Sequence, residues 1–148
     1  MSDLYRSRAD ALMASYNSSG FDYMDYFASD AIMSDFHFLV FNAIDMDKEA
    51  TRSFFSTFLT ENSDVNFITR AVTGSNEFLA HEMHIDFVAG SDIESLSISK
   101  GQFVRLTGVS VQQWRKENSA NQNIDELTRW KIFEQKDYFF VAEKRNVA

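Results

Sequence analysis

Apolar and polar positions change period along this chain, from every three or four residues to every two. Over residues 3–17, Tyr5, Ala9, Leu12, Met13 and Tyr16 recur at helical spacing, and Asn17-Ser18-Ser19-Gly20 ends the run. Phe21–Ala28 reads as a second, short helix with Phe21, Met24 and Phe27 facing inward, broken by Ser29-Asp30. Ala31–Phe41 reads as a strand, or a strand and a loop, with Met33, Asp35 and His37 on one face. Asp47 suits the N-cap of a helix over residues 48–60, whose apolar stripe is Phe54, Phe55, Phe58 and Leu59.

From Val65 onward the period is two. Val65–Val72 predicts a strand and Thr73–Asn76 a hairpin turn. Two long strands follow, Phe78–Val88 and Gln102–Arg115, joined by a connection over Gly90–Gly101. Leu79, His81, Met83, Ile85 and Phe87 share one face, of which His81 is the only polar member; Glu82, His84 and Asp86 lie on the mixed opposite face. Val104, Leu106, Gly108, Ser110, Gln112 and Trp114 share a face of the next strand. After a polar turn over Lys116–Asn123, Asp125–Lys136 predicts a last strand with Thr128, Trp130 and Ile132 on one face; an extension over Tyr138–Val141 is left open.

This order predicts an α+β fold: helices packed on a strongly curved antiparallel sheet, a cone-shaped α+β barrel with a mouth suited to a small molecule. With no repeat or linker, residues 1–148 read as a single domain. The 15 Phe suggest a core or cavity wall built of aromatic surface. The absence of Cys removes thiolate and disulfide chemistry. A net charge of −8 without a basic cluster argues against a nucleic-acid partner. No apolar run suggests a signal peptide or membrane span, so a soluble, cytoplasmic protein is expected. No phosphate loop or dinucleotide fingerprint is present, so no cofactor is expected. His81 and His84, three apart, point to opposite faces of a strand, so no metal centre is expected either.

Three stretches carry a family likeness. They are Asn17-Ser-Ser-Gly20 followed by Phe27-Ala-Ser-Asp-Ala-Ile-Met-Ser-Asp35, then Glu82 in its strand, then Gly101-x-x-Val104-x-x-x-Gly108-Val-Ser-Val111 with Trp114. In order and spacing they resemble the nuclear transport factor 2-like superfamily, especially its SnoaL-like polyketide cyclase and ketosteroid isomerase branches, up to about Phe133. The resemblance places Asp35 at the carboxylate base of ketosteroid isomerases. It places Leu12 where those enzymes have an oxyanion-stabilising Tyr and Ser110 where they have a protonated Asp. It sets Trp130-Lys131-Ile132 against the Y-x-D of the cyclases, so their acid/base Asp is expected to be missing. It also implies a role in secondary-metabolite biosynthesis.

The candidate chemistry is therefore as follows. Asp35 is read as a general base whose pKa an apolar cone would raise, with His37 on its face as acid or orienter. His81 is either a core residue bonded to a carbonyl or an acid/base lining the pocket. Trp114 and Trp130 are read as pocket walls, and Ser110 and Gln112 as groups orienting a ligand. The first reading is a cofactor-independent isomerase, cyclase or dehydratase acting on a hydrophobic oxygenated small molecule. The alternative is a non-catalytic ligand carrier or dimerising adaptor of the same fold. A homodimer is expected, with Glu82, His84 and Asp86 as a candidate contact face.

Overall fold

The computed structural model describes residues 4–18, 23–36, 43–118 and 126–147. The two-residue period becomes six strands: β1 (Phe27–Asp35), β2 (Ala43–Met46), β3 (Ser63–Gly74), β4 (Phe78–Val88), β5 (Gln102–Lys116) and β6 (Trp130–Asn146). The helices are α1 (Leu4–Asn17), α2 (Lys48–Glu61) and the single turn α3 (Glu126–Arg129), with 3-10 turns at Tyr23–Tyr26 and Glu94–Leu96. One sheet holds the strands in the order β2-β1-β6-β5-β4-β3, open at both edges. β1 runs parallel to β6, and every other neighbouring pair is antiparallel. The α+β class is as expected; the sheet is mixed and open, not wholly antiparallel and closed.

Two elements differ from expectation. Of the second helix the described residues form a 3-10 turn over Tyr23–Tyr26, and Phe27 already starts β1, where it is the register partner of Ile132. Strand pairing overrides the local helical spacing of Met24 and Phe27. The last strand starts later and runs longer than predicted, because β5 offers a 15-residue template for it to pair along.

β6 also changes phase. Gln113 pairs with Glu134, but Trp114 pairs with Ile132, so Phe133 is an extra residue and forms a bulge. Before the bulge Trp130 and Ile132 point inward; after it Gln135, Asp137 and Phe139 do. β5 and β6 approach closely at Gly108, where a Cβ would come within 1.9 Å of the Tyr138 carbonyl oxygen. Any side chain there would push the two strands apart.

α1 covers one end of the inner face. Its buried side is Arg8, Ala9, Leu12, Met13, Ser15 and Tyr16. The Asn17 side chain both donates to the Phe67 carbonyl (2.9 Å) and accepts from the Phe67 amide (2.8 Å), fixing the helix end to the edge strand β3. Arg8, fully buried, lies between Trp114 and Trp130, its guanidinium carbon 4.5 and 4.6 Å from their ring centres. It donates to the Asn76 carbonyl (2.6 Å). Burial lowers its pKa to about 10, against the opposing effect of Glu77, so it stays charged at neutral pH.

α2 covers the other end and is capped as predicted: the Asp47 carboxylate accepts from the Ala50 amide (2.8 Å). Only Thr51 and Phe55 are buried on this helix, so much of its aromatic stripe is not packed against the sheet. At its end Asn62 donates to the Phe58 carbonyl and accepts from the Gly90 amide. Gly90 passes so close to the Glu61 carbonyl that a Cβ would fall 1.5 Å from it.

His81 belongs to the filled half of the core. It is fully buried, with Nε2 2.9 Å from Thr69 Oγ1 and Nδ1 without a protein partner among the described residues. Burial lowers its pKa to about 4, with Asp10 opposing weakly. The folded state thus binds fewer protons here than the unfolded chain, whose His titrates near 6.5. This contribution to stability is complete above the unfolded value and is lost as pH falls towards the folded one. His81→Gln keeps a polar group facing Thr69 and removes the titration. We predict that the stability advantage of wild type over the variant shrinks by up to about 3 kcal/mol across that window. Urea denaturation at several pH values checks this; a constant difference would contradict it.

Candidate active site

Where β1 and β6 run side by side, Asp35 is the register partner of Asp137. The Phe36 amide donates to the Asp137 carbonyl (2.8 Å) and holds the two backbones together there. Both side chains are buried, at 4% and 5% exposure, and both line a cavity of about 850 Å³. That is the size of a pocket for a drug-sized molecule.

The cavity lies under the loosely packed face of α2. Phe54, Phe55 and Phe58 form one wall. Phe67, Ile85, Phe87, Leu106 and Phe139 form the floor and the facing wall. Glu61, Asn62 and the connection from Ser91 to Leu96 complete the lining, and most of these rim residues are exposed. The connection is an ordered structure: Ile93 bridges Ile98, Asp92 Oδ1 accepts from the Lys100 amide (2.7 Å), and Lys144 Nζ donates to the carbonyls of Leu96 and Ser97 (2.9 and 3.0 Å).

A chain of buried amides stands behind the carboxylates. Trp114 Nε1 donates to Gln112 Oε1 (3.0 Å), Gln112 Nε2 to Gln135 Oε1 (3.0 Å), and Gln135 Nε2 to both Asp137 oxygens (3.2 and 3.3 Å). Ser110, the register partner of Asp137 on β5, also hydrogen-bonds its carboxylate. Tyr16 bonds Gln135 and stacks on Phe67 (4.7 Å between ring centres). Each link has few alternatives in a dry interior, so the chain fixes the orientation of Asp137.

Burial raises the Asp137 pKa most, and the charge of Asp35 raises it further; the hydrogen bonds from Ser110 and Gln135 oppose this. One of two adjacent buried carboxyl groups then keeps its proton, because two negative charges in an apolar site repel and lack hydration. Tyr16 is pushed up for the same reasons, burial first and Asp137 second. The arrangement therefore offers a carboxylate and a carboxylic acid next to each other, facing a space that fits an organic molecule.

The sequence-derived site residues fall in several places. Asp35 lines the cavity as expected. His37 lies outside the described residues. His81 does not line the cavity; it lies four residues, roughly 13 Å along β4, from the cavity residue Ile85. Trp114 and Trp130 hold Arg8 and are not part of the cavity wall. Ser110 and Gln112 also lie behind the wall, where they brace Asp137. An acid in the last strand is present after all: it is Asp137, seven residues beyond Trp130, which the bulge at Phe133 turns inward. A phenol also stands near the carboxylates: it is Tyr16, one turn beyond Leu12, which fills the core. Among the described residues, no three His, Asp or Glu side chains converge as metal ligands. No described helix is long and apolar enough to cross a membrane.

No protein-family model matches the chain. The curated protein "Cyclase aurE" of Calcarisporium arbuscula is 27% identical over 130 residues, covering 86% of this chain and 90% of its own. A SnoaL-like polyketide cyclase of Agrobacterium tumefaciens superposes with a TM-score of 0.58 at 13% identity, covering 93% of this chain and 89% of that one. IdmH of Streptomyces antibioticus superposes with a TM-score of 0.66 at 10% identity, covering 90% of each chain. A protein of Catenulispora acidiphila with a ketosteroid isomerase-like fold gives 0.58 at 10% identity, over 88% of this chain and 83% of that one. With its helices on one mixed sheet around an acid-floored cavity, the chain has the nuclear transport factor 2-like fold in the form shared by SnoaL-like polyketide cyclases and ketosteroid isomerase-like proteins.

Proposed function

We propose that the protein is an acid–base enzyme that works without a cofactor on a hydrophobic oxygenated molecule, as a cyclase, isomerase or dehydratase of secondary metabolism. The observation that carries this reading is the adjacent, buried Asp35 and Asp137 on the floor of the aromatic cavity. The curated relative named a cyclase points the same way.

The two acids take complementary parts. Asp35, the carboxylate, removes a proton from a carbon beside a carbonyl. Asp137, the acid, gives its proton to the carbonyl oxygen, so an enol forms without free enolate charge. The pair carries one proton before and after this step, and only its position changes. The enol then closes on a second carbonyl, is reprotonated at another carbon, or expels a hydroxyl group as water. The Phe walls exclude bulk water and hold the reacting carbon near Asp35.

The test is exchange of the acidic α-proton of an aryl β-ketoester in deuterated buffer, followed by proton NMR. Wild type is expected to accelerate exchange. Asp35→Asn and Asp137→Asn are expected to fold and to lose roughly 10²–10⁴ of that acceleration. A wild type that binds the ester without accelerating exchange would contradict the enzyme reading and leave the carrier.

We also propose a homodimer through the outer sheet face. Tyr138 and Phe140 are 44% and 48% exposed there, beside Ala71, Ala80 and Val109. On the same face Asp86 is paired with Arg105 (2.7 Å) and His84 is bonded to Thr107, which leaves the apolar part as the sticky surface. Light scattering at micromolar concentration should give twice the chain mass for wild type and one chain mass for Phe140→Asp. A wild type of single mass would overturn the dimer.

A further inference from the structure

Among the described residues, the cavity lining carries five carboxyl groups and no Lys, Arg or His. Asp35 and Asp137 are on the floor, and Glu61, Asp92 and Glu94 stand at the exposed rim. None of the residues outside the described set is Lys or Arg; His37 is among them. The Lys144 ammonium reaches the connection that forms the rim. It is bonded to the carbonyls of Leu96 and Ser97 and does not line the cavity. The polar chain behind Asp137 consists of amides, a hydroxyl and an indole, all uncharged. The guanidinium of Arg8 is used between the two indoles.

An anionic ligand group would have no Lys, Arg or His to pair with among the described residues of this lining. At the floor it would be desolvated beside the Asp35 carboxylate, where repulsion is strongest because the surroundings are apolar. At the rim it would meet Glu61, Asp92 and Glu94 through water, a weaker and salt-screened effect. A neutral ligand meets none of this and gains the full contact with the Phe walls. Neutral carbonyls, esters and hydroxyl groups also suit a floor that holds one acid and one carboxylate.

We propose that the cavity takes uncharged hydrophobic ligands and rejects those that carry a carboxylate, sulfonate or phosphate. This rests on the cavity being the substrate site, and it narrows the substrate to neutral molecules.

The test compares two fluorescent probes with one skeleton, N-phenyl-1-naphthylamine, which is neutral, and 8-anilino-1-naphthalenesulfonate, which is anionic. Each is titrated into the full-length protein at constant ionic strength. The neutral probe is expected to bind at least about tenfold more tightly than the sulfonate. The gap should narrow several-fold in Glu61→Gln/Glu94→Gln, which removes rim charge, and in Asp35→Asn/Asp137→Asn, which removes floor charge, whereas Asp35→Asn alone passes the charge to Asp137. Equal affinities in wild type would overturn the charge rule while leaving the cavity as the ligand site. A gap unchanged in both variants would also overturn it, since the discrimination would arise elsewhere. Failure of both probes to bind would overturn the ligand site itself, and the charge rule with it.

Discussion

Two carboxyl groups held together in a dry interior set the terms for the rest of this structure. Burying one ionised carboxylate is costly, and burying two side by side is more so. The sheet imposes the adjacency through the parallel register of β1 and β6, which makes Asp35 and Asp137 partners. The bulge at Phe133 supplies the second condition, since without it Asp137 would point out of the sheet. Ser110 and Gln135 then supply the hydrogen bonds that make the position tolerable. A buried carboxyl pair of this kind is characteristic of sites whose chemistry needs a shifted pKa.

The two ends of the sheet are used differently. Under α1 the space is filled by Arg8, its two indoles, Leu12, Leu79 and the buried His81. Under α2 it is left open, because that helix buries only Thr51 and Phe55 and leaves its other rings facing the cavity. The filled end carries the polar chain that begins at Trp114 and ends at Asp137. The part of the core that gives stability thus also orients the acid of the open part. A change at Gln112 would therefore reach the site without touching a ligand.

Much of the fold was legible because long periodic segments dominate it. The helix at residues 48–60, its Asp47 cap and the paired strands β4 and β5 follow from local pattern alone. Asp35 was legible as an inward carboxylate for the same reason. Asp137 was not, because the phase set by Trp130 and Ile132 would carry Glu134, Lys136 and Tyr138 inward, and a bulge is invisible to a strict alternation. The clue was Gln135-x-Asp137-x-Phe139, an alternation of its own that begins one residue out of step. The two Trp looked like pocket walls because aromatic residues at inward positions suit both roles. What decides between them is the buried Arg8 on α1, and a helical Arg more often reads as a surface residue. The parallel pairing of β1 with β6 joins segments about a hundred residues apart, which no local pattern encodes.

The central claim is that Asp137 holds its proton because it is buried beside a charged Asp35. Carbon-13 NMR of the aspartate carboxyl carbons, from about pH 4 to about pH 9, tests it most directly. The account predicts that Asp137 titrates well above the ordinary 3.8, and that its midpoint falls in Asp35→Asn, where burial remains but the neighbouring charge is gone. An Asp137 that titrates at the ordinary value in wild type, and does not move in the variant, would contradict it.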